Sequence, residues 1–343
     1  MVFARKEGGG RPQVAGIRPA AAIAGGEFWV HGSRFRANGE ERLRVRLGDV
    51  EAPLIMGGDE FAIVRVPAGA TVGKLVVENR QASSPPYTCQ LGIPIAENLH
   101  PVANPVVDSH GNIYTTFSGA RGQKAPVSVY KIDLNYDLKP FVNDLMNPTG
   151  LAIDREGMLF VSSRYDGSIY QIGPNGKMSV YAEGMGVATG LAFDGEGNLY
   201  VGDRSGTIFK IAPSPAPARQ IFVFATIEPS ISAYHLTVGP DEHLYVTGPT
   251  TSSFDCLYRV TPKGEVAVYY RGLGRPQGMA FDAQGRLYVA ASTGGRKGIV
   301  RFGPDQKPEL VVSGPGIVGL AFAFEQALIV ATTNALYRIE MAP

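Results

Sequence analysis

From about residue 103 onward, short apolar runs alternate with tight polar turns, and the whole pattern returns roughly every 43 residues. It is most legible as PTGLAIDREGMLFV from Pro148, ATGLAFDGEGNLYV from Ala188 and PQGMAFDAQGRLYV from Pro276. Weaker copies begin at Ala103 (ANPVVDSHGNIYT), Ala233 (AYHLTVGPDEHLYV) and Ile317 (IVGLAFAFEQALIV). The residues ending each first strand are Asp108, Asp154, Asp194, Gly239, Asp282 and Ala323. Within a copy, an apolar strand such as Leu151 to Asp154 runs into a D-x-x-G turn, here Asp154 to Gly157. Asp bonds its own backbone two residues on, and Gly takes a positive φ without steric cost, so the pair closes a hairpin. A second strand (LFV, LYV or IYT) and a polar loop follow. Third strands read SIYQI (Ser168 to Ile172), TIFKI (Thr207 to Ile211) and ALYRI (Ala335 to Ile339), and short fourth strands begin at Val180 and Val268. A period of this length in strand formers and Gly turns predicts a β-propeller, here with six blades.

The sixth copy stops after its third strand, so its outer strand must come from elsewhere. Residues 93–97 are expected to supply it, because Pro94 to Val106 resembles the fourth-strand region Phe141 to Leu151, and Pro94 suits an edge that lacks one N–H. The first ninety residues alternate differently, with short strands at Phe28–Gly32, Leu43–Gly48, Phe61–Pro67 and Lys74–Asn79. Such density favours a small β-sandwich. The expected class is all-β: an N-terminal tail over 1–11, a small immunoglobulin-like β-sandwich over 12–92, and a six-bladed β-propeller over 93–343. The arrangement Ile17-x-Pro19, Gly25-Gly26, Val30-x-Gly32-x-x-Phe35 and Val66 to Gly69 resembles the IPT/TIG immunoglobulin-like domain. That resemblance implies a spacer or platform; some members touch DNA. Arg34, Arg36, Arg42, Arg44 and Arg46 are read instead as solvated residues on exposed strand faces.

Composition narrows the partners. The formal charge is +1, which gives no general attraction to nucleic acid or to a membrane surface. The longest apolar run, Ile317 to Phe324, is far too short to span a bilayer, so no membrane insertion is expected. Cys89 and Cys256, the two cysteines, imply no disulfide framework. The start has no apolar stretch of signal-peptide length, so the chain as given is expected in the cytoplasm, or outside the cell if a signal was removed.

In a propeller the loops entering each inner strand and those between second and third strands share one face, around the channel mouth, where ligands bind. The entry positions here are Ala103, Thr149, Thr189, Tyr234, Gln277 and Val318, with Asn104 and His235 one residue on. The other loops contribute Arg121, Arg164, Tyr165, Asp166, Asp203, Arg204, Arg296 and Asn334. The repeats resemble NHL repeats and the senescence marker protein/gluconolactonase family of metal-dependent lactone hydrolases. That family implies a divalent cation held by a Glu before the first strand's Pro, an Asn from a P-N-G entry and an Asp before a later entry Gly. This chain has Ala103, Thr149, Thr189, and Tyr234 or Gln277 at those positions. Neutral side chains hold such cations weakly, so no metal or other cofactor is expected, with Asp166 or Asp203 as the fallback ligands for a divalent cation. His235 is the weak candidate for a general base. The repeated Asp residues on the opposite face read as turn caps. The mouth loops carry Arg121, Lys124, Arg164, Arg204, Arg275, Arg296 and Lys297 against Asp144, Asp166, Glu183 and Asp203, which favours a small anionic molecule or an acidic protein segment as partner. The reading is thus a binding module, with a lactone hydrolase of rebuilt metal site and a structural part of a larger assembly as alternatives.

Overall fold

The computed structural model of the chain describes residues 10–35, 43–119, 122–213, 219–251, 255–324 and 327–341, and every element in it is a β-strand. The chain divides into two compact units. One is the chain up to Ile93 with Leu310–Pro315 and a few residues from Ile339; the other is Pro94–Glu309 with Gly316–Arg338.

In the first unit two four-stranded antiparallel sheets share a core. One sheet has the order Gln13–Arg18, Glu27–Ser33, Phe61–Arg65, Leu54–Gly57; the other Val50–Ala52, Arg44–Leu47, Lys74–Glu78, Tyr87–Thr88. Period-two alternation explains the arrangement: Phe28 and Val30 are fully buried while Trp29 between them is 40% exposed. Val45, Leu47, Leu75 and Val77 of the second sheet meet Phe28, Val30, Ala62 and Val64 of the first. Ala21–Ala22 pairs in parallel with Gln90–Leu91 on one side and with Val312 and Ser313 on the other.

The second unit is a β-propeller. Its first four sheets, or blades, each contain four consecutive antiparallel strands: Val106–Val107 through Leu138–Val142, Pro148–Ile153 through Met178–Ala182, Ala188–Phe193 through Ile221–Thr226, and His235–Val238 through Val266–Leu273. The fifth contains Met279–Phe281, Leu287–Thr293 and Arg296–Phe302. The sixth runs Ile317–Phe322, Ala327–Thr332, Ala335–Glu340 and then Ile93–Glu97 as outermost strand. Each inner strand touches the next, and the sixth touches the first, so the ring closes. The core lies between neighbouring blades. Ala152, Phe160 and Ile169 of the second blade meet Leu191, Leu199 and Ile211 of the third, and Ile113 and Ile132 of the first meet Ile329 and Leu336 of the sixth. First and second strands are covered on both faces, which is why they read as continuous apolar runs rather than alternating ones; Leu159–Ser163 is buried throughout, whereas the outer strand Met178–Ala182 is fully buried only at Ala182.

The Gly at the start of the inner strand in the second and third blades has a steric cause. A Cβ on Gly150 would lie 2.2 Å from the Thr189 carbonyl oxygen, and one on Gly190 would lie 2.5 Å from that of Tyr234. Only glycine permits so close an approach of one blade to the next.

Candidate functional site

Hydrogen bonds join some of the loops assigned to the channel mouth. Asn147 Oδ1 accepts from Gly122 N (2.8 Å) and its Nδ2 donates to Gly119 O (3.1 Å), so the second blade's entry is tied to the first blade's loop. Arg164 Nη2, from the second blade's loop, donates to the same Gly119 carbonyl at 3.1 Å and to Ser118 Oγ at 3.3 Å. In the third blade, Val187 N donates to Asp203 Oδ1 (2.8 Å), and Arg204 Nη2 donates to Ile231 O (3.0 Å) in the fourth blade's entry. Asn147, with φ 44° and almost complete burial, had no place in the reading of the sequence. Its position before Pro148 was the one available signal, since Asn tolerates the left-handed region.

Several entry residues work as fasteners within the ring. Asn104 joins three blades: its Nδ2 donates to Met279 O (2.8 Å) and its Oδ1 accepts from Leu320 N (3.1 Å). Thr189 is 1% exposed; its hydroxyl donates to Gly202 O (2.8 Å) and accepts from Tyr234 N (3.1 Å). Thr149 is equally buried and donates to Asn147 O at 3.2 Å. The Tyr234 hydroxyl donates to Glu228 O, Thr247 Oγ1 donates to Gln277 O at 2.5 Å, and Asn334 Oδ1 accepts from Thr332 Oγ1 at 3.0 Å. Asp203 is buried and also accepts from the Ser205 hydroxyl.

The exposed members are Tyr165 (55%), Asp166 and Asn334, with Arg164 and Arg204 half-buried. Asp166 accepts from Ser168 N (3.0 Å) and Tyr170 Oη (2.8 Å). Burial pushes its carboxyl up, but the Tyr170, Ser163 and Ser168 bonds outweigh that and hold it below its ordinary value. Tyr170 is pushed up to about 12, first by burial and then by that carboxylate. Arg121 lies outside the described residues. Lys124 is ion-paired with Asp144.

His235 stands where the second, third, fifth and sixth blades have Gly150, Gly190, Gly278 and Gly319. It is 4% exposed, and burial drives its pKa down to about 4. Neutral at physiological pH and so weak a base, it is poorly matched to proton abstraction there. Among the described residues no group of three or more His, Cys, Asp or Glu side chains is placed to hold a metal.

The opposite face is built from the repeated turns. Asp108 Oδ1 accepts from the backbone N of His110 and of Asn112 (2.9 Å each), and its Oδ2 accepts from Asn112 Nδ2 (2.8 Å) and Tyr114 Oη (3.1 Å). Asp194 does the same with Glu196, Asn198 and Tyr200. In the fourth blade Asp241 takes the part of Gly239 and accepts from Tyr245 Oη at 3.0 Å; in the fifth, Arg286 Nε serves Asp282 at 2.5 Å. Asp154 departs from the set: it accepts from Met158 N (2.8 Å), and Met158 and Phe160 stand where Asn and Tyr stand in the first and third blades. Clefts of about 500 and 430 Å³ flank its turn, and a third of about 220 Å³ lies between the sixth and first blades.

Solved structures share this architecture. An auxiliary nutrient binding protein from Bacteroides ovatus matches over 96% of this chain and 98% of its own, at 13% identity and a TM-score of 0.54. A gluconolactonase from Xanthomonas campestris matches over 74% and 90%, at 14% identity and a TM-score of 0.60. Virginiamycin B lyase from Staphylococcus aureus matches over 96% and 95%, at 14% identity and a TM-score of 0.51. Identities this low establish the β-propeller fold and leave activity open. No protein-family model and no curated protein sequence matches the chain.

Proposed function

We propose that the protein is a binding module whose propeller recognises a small anionic molecule or an acidic protein segment at the channel mouth, carried on an immunoglobulin-like platform of the IPT/TIG kind. The observation that carries this reading is how Arg204 is held. Its guanidinium donates to the main-chain carbonyl of Ile231, and to that of Ser230 at 3.5 Å. These are neutral acceptors that orient the fork without cancelling its charge, and an oriented guanidinium suits a carboxylate. Arg164, in the preceding blade, also donates to a main-chain carbonyl, that of Gly119. The likeness to an auxiliary nutrient binding protein agrees with this reading at the level of fold. A lactone hydrolase is the second reading, favoured by the likeness to a gluconolactonase, but Ala103, Thr149 and Thr189 offer no carboxylate where that family holds its cation. Neither nucleic acid nor membrane insertion belongs to the proposal.

Titration with a panel of sugar acids and a short polyglutamate peptide tests it. Binding should weaken with salt, and replacing Arg164 and Arg204 together with Ala should weaken it about tenfold or more, the scale of a lost charge-assisted hydrogen bond. Binding indifferent to both salt and the double substitution would dispose of the idea. Turnover of a lactone panel in the presence of Ca²⁺, Zn²⁺ or Mn²⁺ would favour the hydrolase instead.

A further inference from the structure

The turn face of the sixth blade differs from the others in both members of the Asp and Tyr pair. Ala323 stands where four blades have Asp, and Ile329 stands at the position of Tyr114, Tyr200, Tyr245 and Tyr288. Both replacements are apolar, so the polar clamp is lost as a unit. In its place the cleft of about 220 Å³ opens toward the first blade, with Ile113, Ala327 and Ile329 among its lining. Leu134 and Phe324 also line it, and at 70% and 58% exposure they are among the most exposed large apolar side chains described. They flank one glycine: a Cβ on Gly111 would lie 2.7 Å from Leu134 and 3.3 Å from Phe324. Exposed apolar side chains converging on a concavity from separate loops are the arrangement of a ligand pocket rather than of scattered surface residues.

The rim is polar and its charges are ordered. Arg338 Nη1 donates to Tyr136 Oη at 2.6 Å, which orients the guanidinium beside the cleft. Asp133, the acidic residue among the described lining, is paired with Lys139 at 2.6 Å and accepts from the backbone N of Asn135 and Asp137. Its charge is therefore answered locally. An apolar cavity of about 150 Å³ accommodates benzene, so this cleft has room for one ring and a short tether.

We propose that this cleft binds a small carboxylate bearing a single aromatic ring or a short alkyl chain, the apolar part lying against Leu134, Phe324 and Ile329 and the carboxylate meeting Arg338. The site is separate from the channel mouth and stands or falls independently of the function proposed there.

Isothermal titration of the full chain with 3-phenylpropionate, 3-phenylpropan-1-ol and 3-phenylpropylamine tests it. The carboxylate should bind with a dissociation constant of about 1 mM or tighter, and the alcohol and amine about tenfold or more weaker. Arg338→Gln should erase the preference for the carboxylate and leave the alcohol as before. Replacing Leu134 and Phe324 together with Ser, at positions exposed enough to leave the fold and melting temperature intact, should remove binding of all three. The Arg164→Ala, Arg204→Ala pair should leave 3-phenylpropionate binding unchanged. The proposal is overturned if the carboxylate fails to bind, if the alcohol or amine binds equally well, if a folded Leu134→Ser, Phe324→Ser variant still binds, or if the mouth substitutions abolish binding.

Discussion

Asp194 and Asp154 occupy the same turn in neighbouring blades and are displaced in opposite directions. For Asp194 burial pulls the pKa up, but the Asn198 side chain and backbone, the Glu196 backbone and the Tyr200 hydroxyl together bring it below 3.8. For Asp154 burial is again the largest influence; the Met158 amide opposes it, Glu156 adds repulsion, and the balance lies above 3.8. The missing donors are side chains, because Met158 and Phe160 offer none. The signs follow. Asp194, depressed on folding, contributes stability above 3.8 and loses it as pH falls through its folded value. Asp154, raised on folding, contributes below 3.8 and loses that contribution as pH rises through its folded value, so at neutral pH its charge opposes folding. Asp154→Asn should therefore melt no lower than the parent at neutral pH, and its advantage should fade in acid. Asp194→Asn should melt lower at neutral pH, and its deficit should shrink in acid. Thermal denaturation across pH checks both, and equal losses at neutral pH would contradict the assignment.

At the scale of the element, the outer strands decide how the sheets end. Ile93–Glu97 lies outermost in the sixth blade, beside Ala335–Glu340, and Leu99 N donates to Asn334 O at 3.0 Å just beyond it. We propose that this strand is what keeps the ring's last edge from pairing with another chain. An uncovered edge presents a row of unpaired N–H and C=O groups. Deleting residues 1–98 should then produce aggregation, visible by light scattering, whereas deleting 1–86 should be tolerated better. Equal solubility of the two truncations would count against the idea. The short apolar Leu54–Gly57 is likewise an edge, with Met56 55% exposed.

For the whole molecule the open question is whether the ring is braced by packing alone or also by an ion. Among the entry positions, Asn104 bonds to the sixth blade and Thr189 to Tyr234 of the fourth without a charged ligand, while Thr149 bonds within its own entry. We expect no cation to stabilise the protein. A cation at 100 times its dissociation constant would add roughly 2.7 kcal/mol. Excess Ca²⁺, Zn²⁺ or Mn²⁺ should therefore leave the melting temperature where it was; a rise of several degrees with any of them would show a bound ion and revive the hydrolase reading.

The linear pattern of residues was enough to determine the propeller repeat, its strand order within each blade, and the turn-capping part of Asp108, Asp194 and Asp282, because hairpins are local and their hydrogen bonds close within a few residues. What it could not decide was which polar side chains meet solvent and which meet the next blade. Thr189 and Arg204 are both polar residues of loops or strand entries, yet one is sealed against Tyr234 and the other reaches across to Ile231. That distinction depends on how closely successive blades approach around the ring. The clefts of the turn face are decided in the same way. Ala323 and Ile329 look like ordinary strand residues in the chain, and they line a pocket with Phe324 and Arg338 only because the closure of the ring brings Leu134 and Tyr136 of the first blade alongside the sixth.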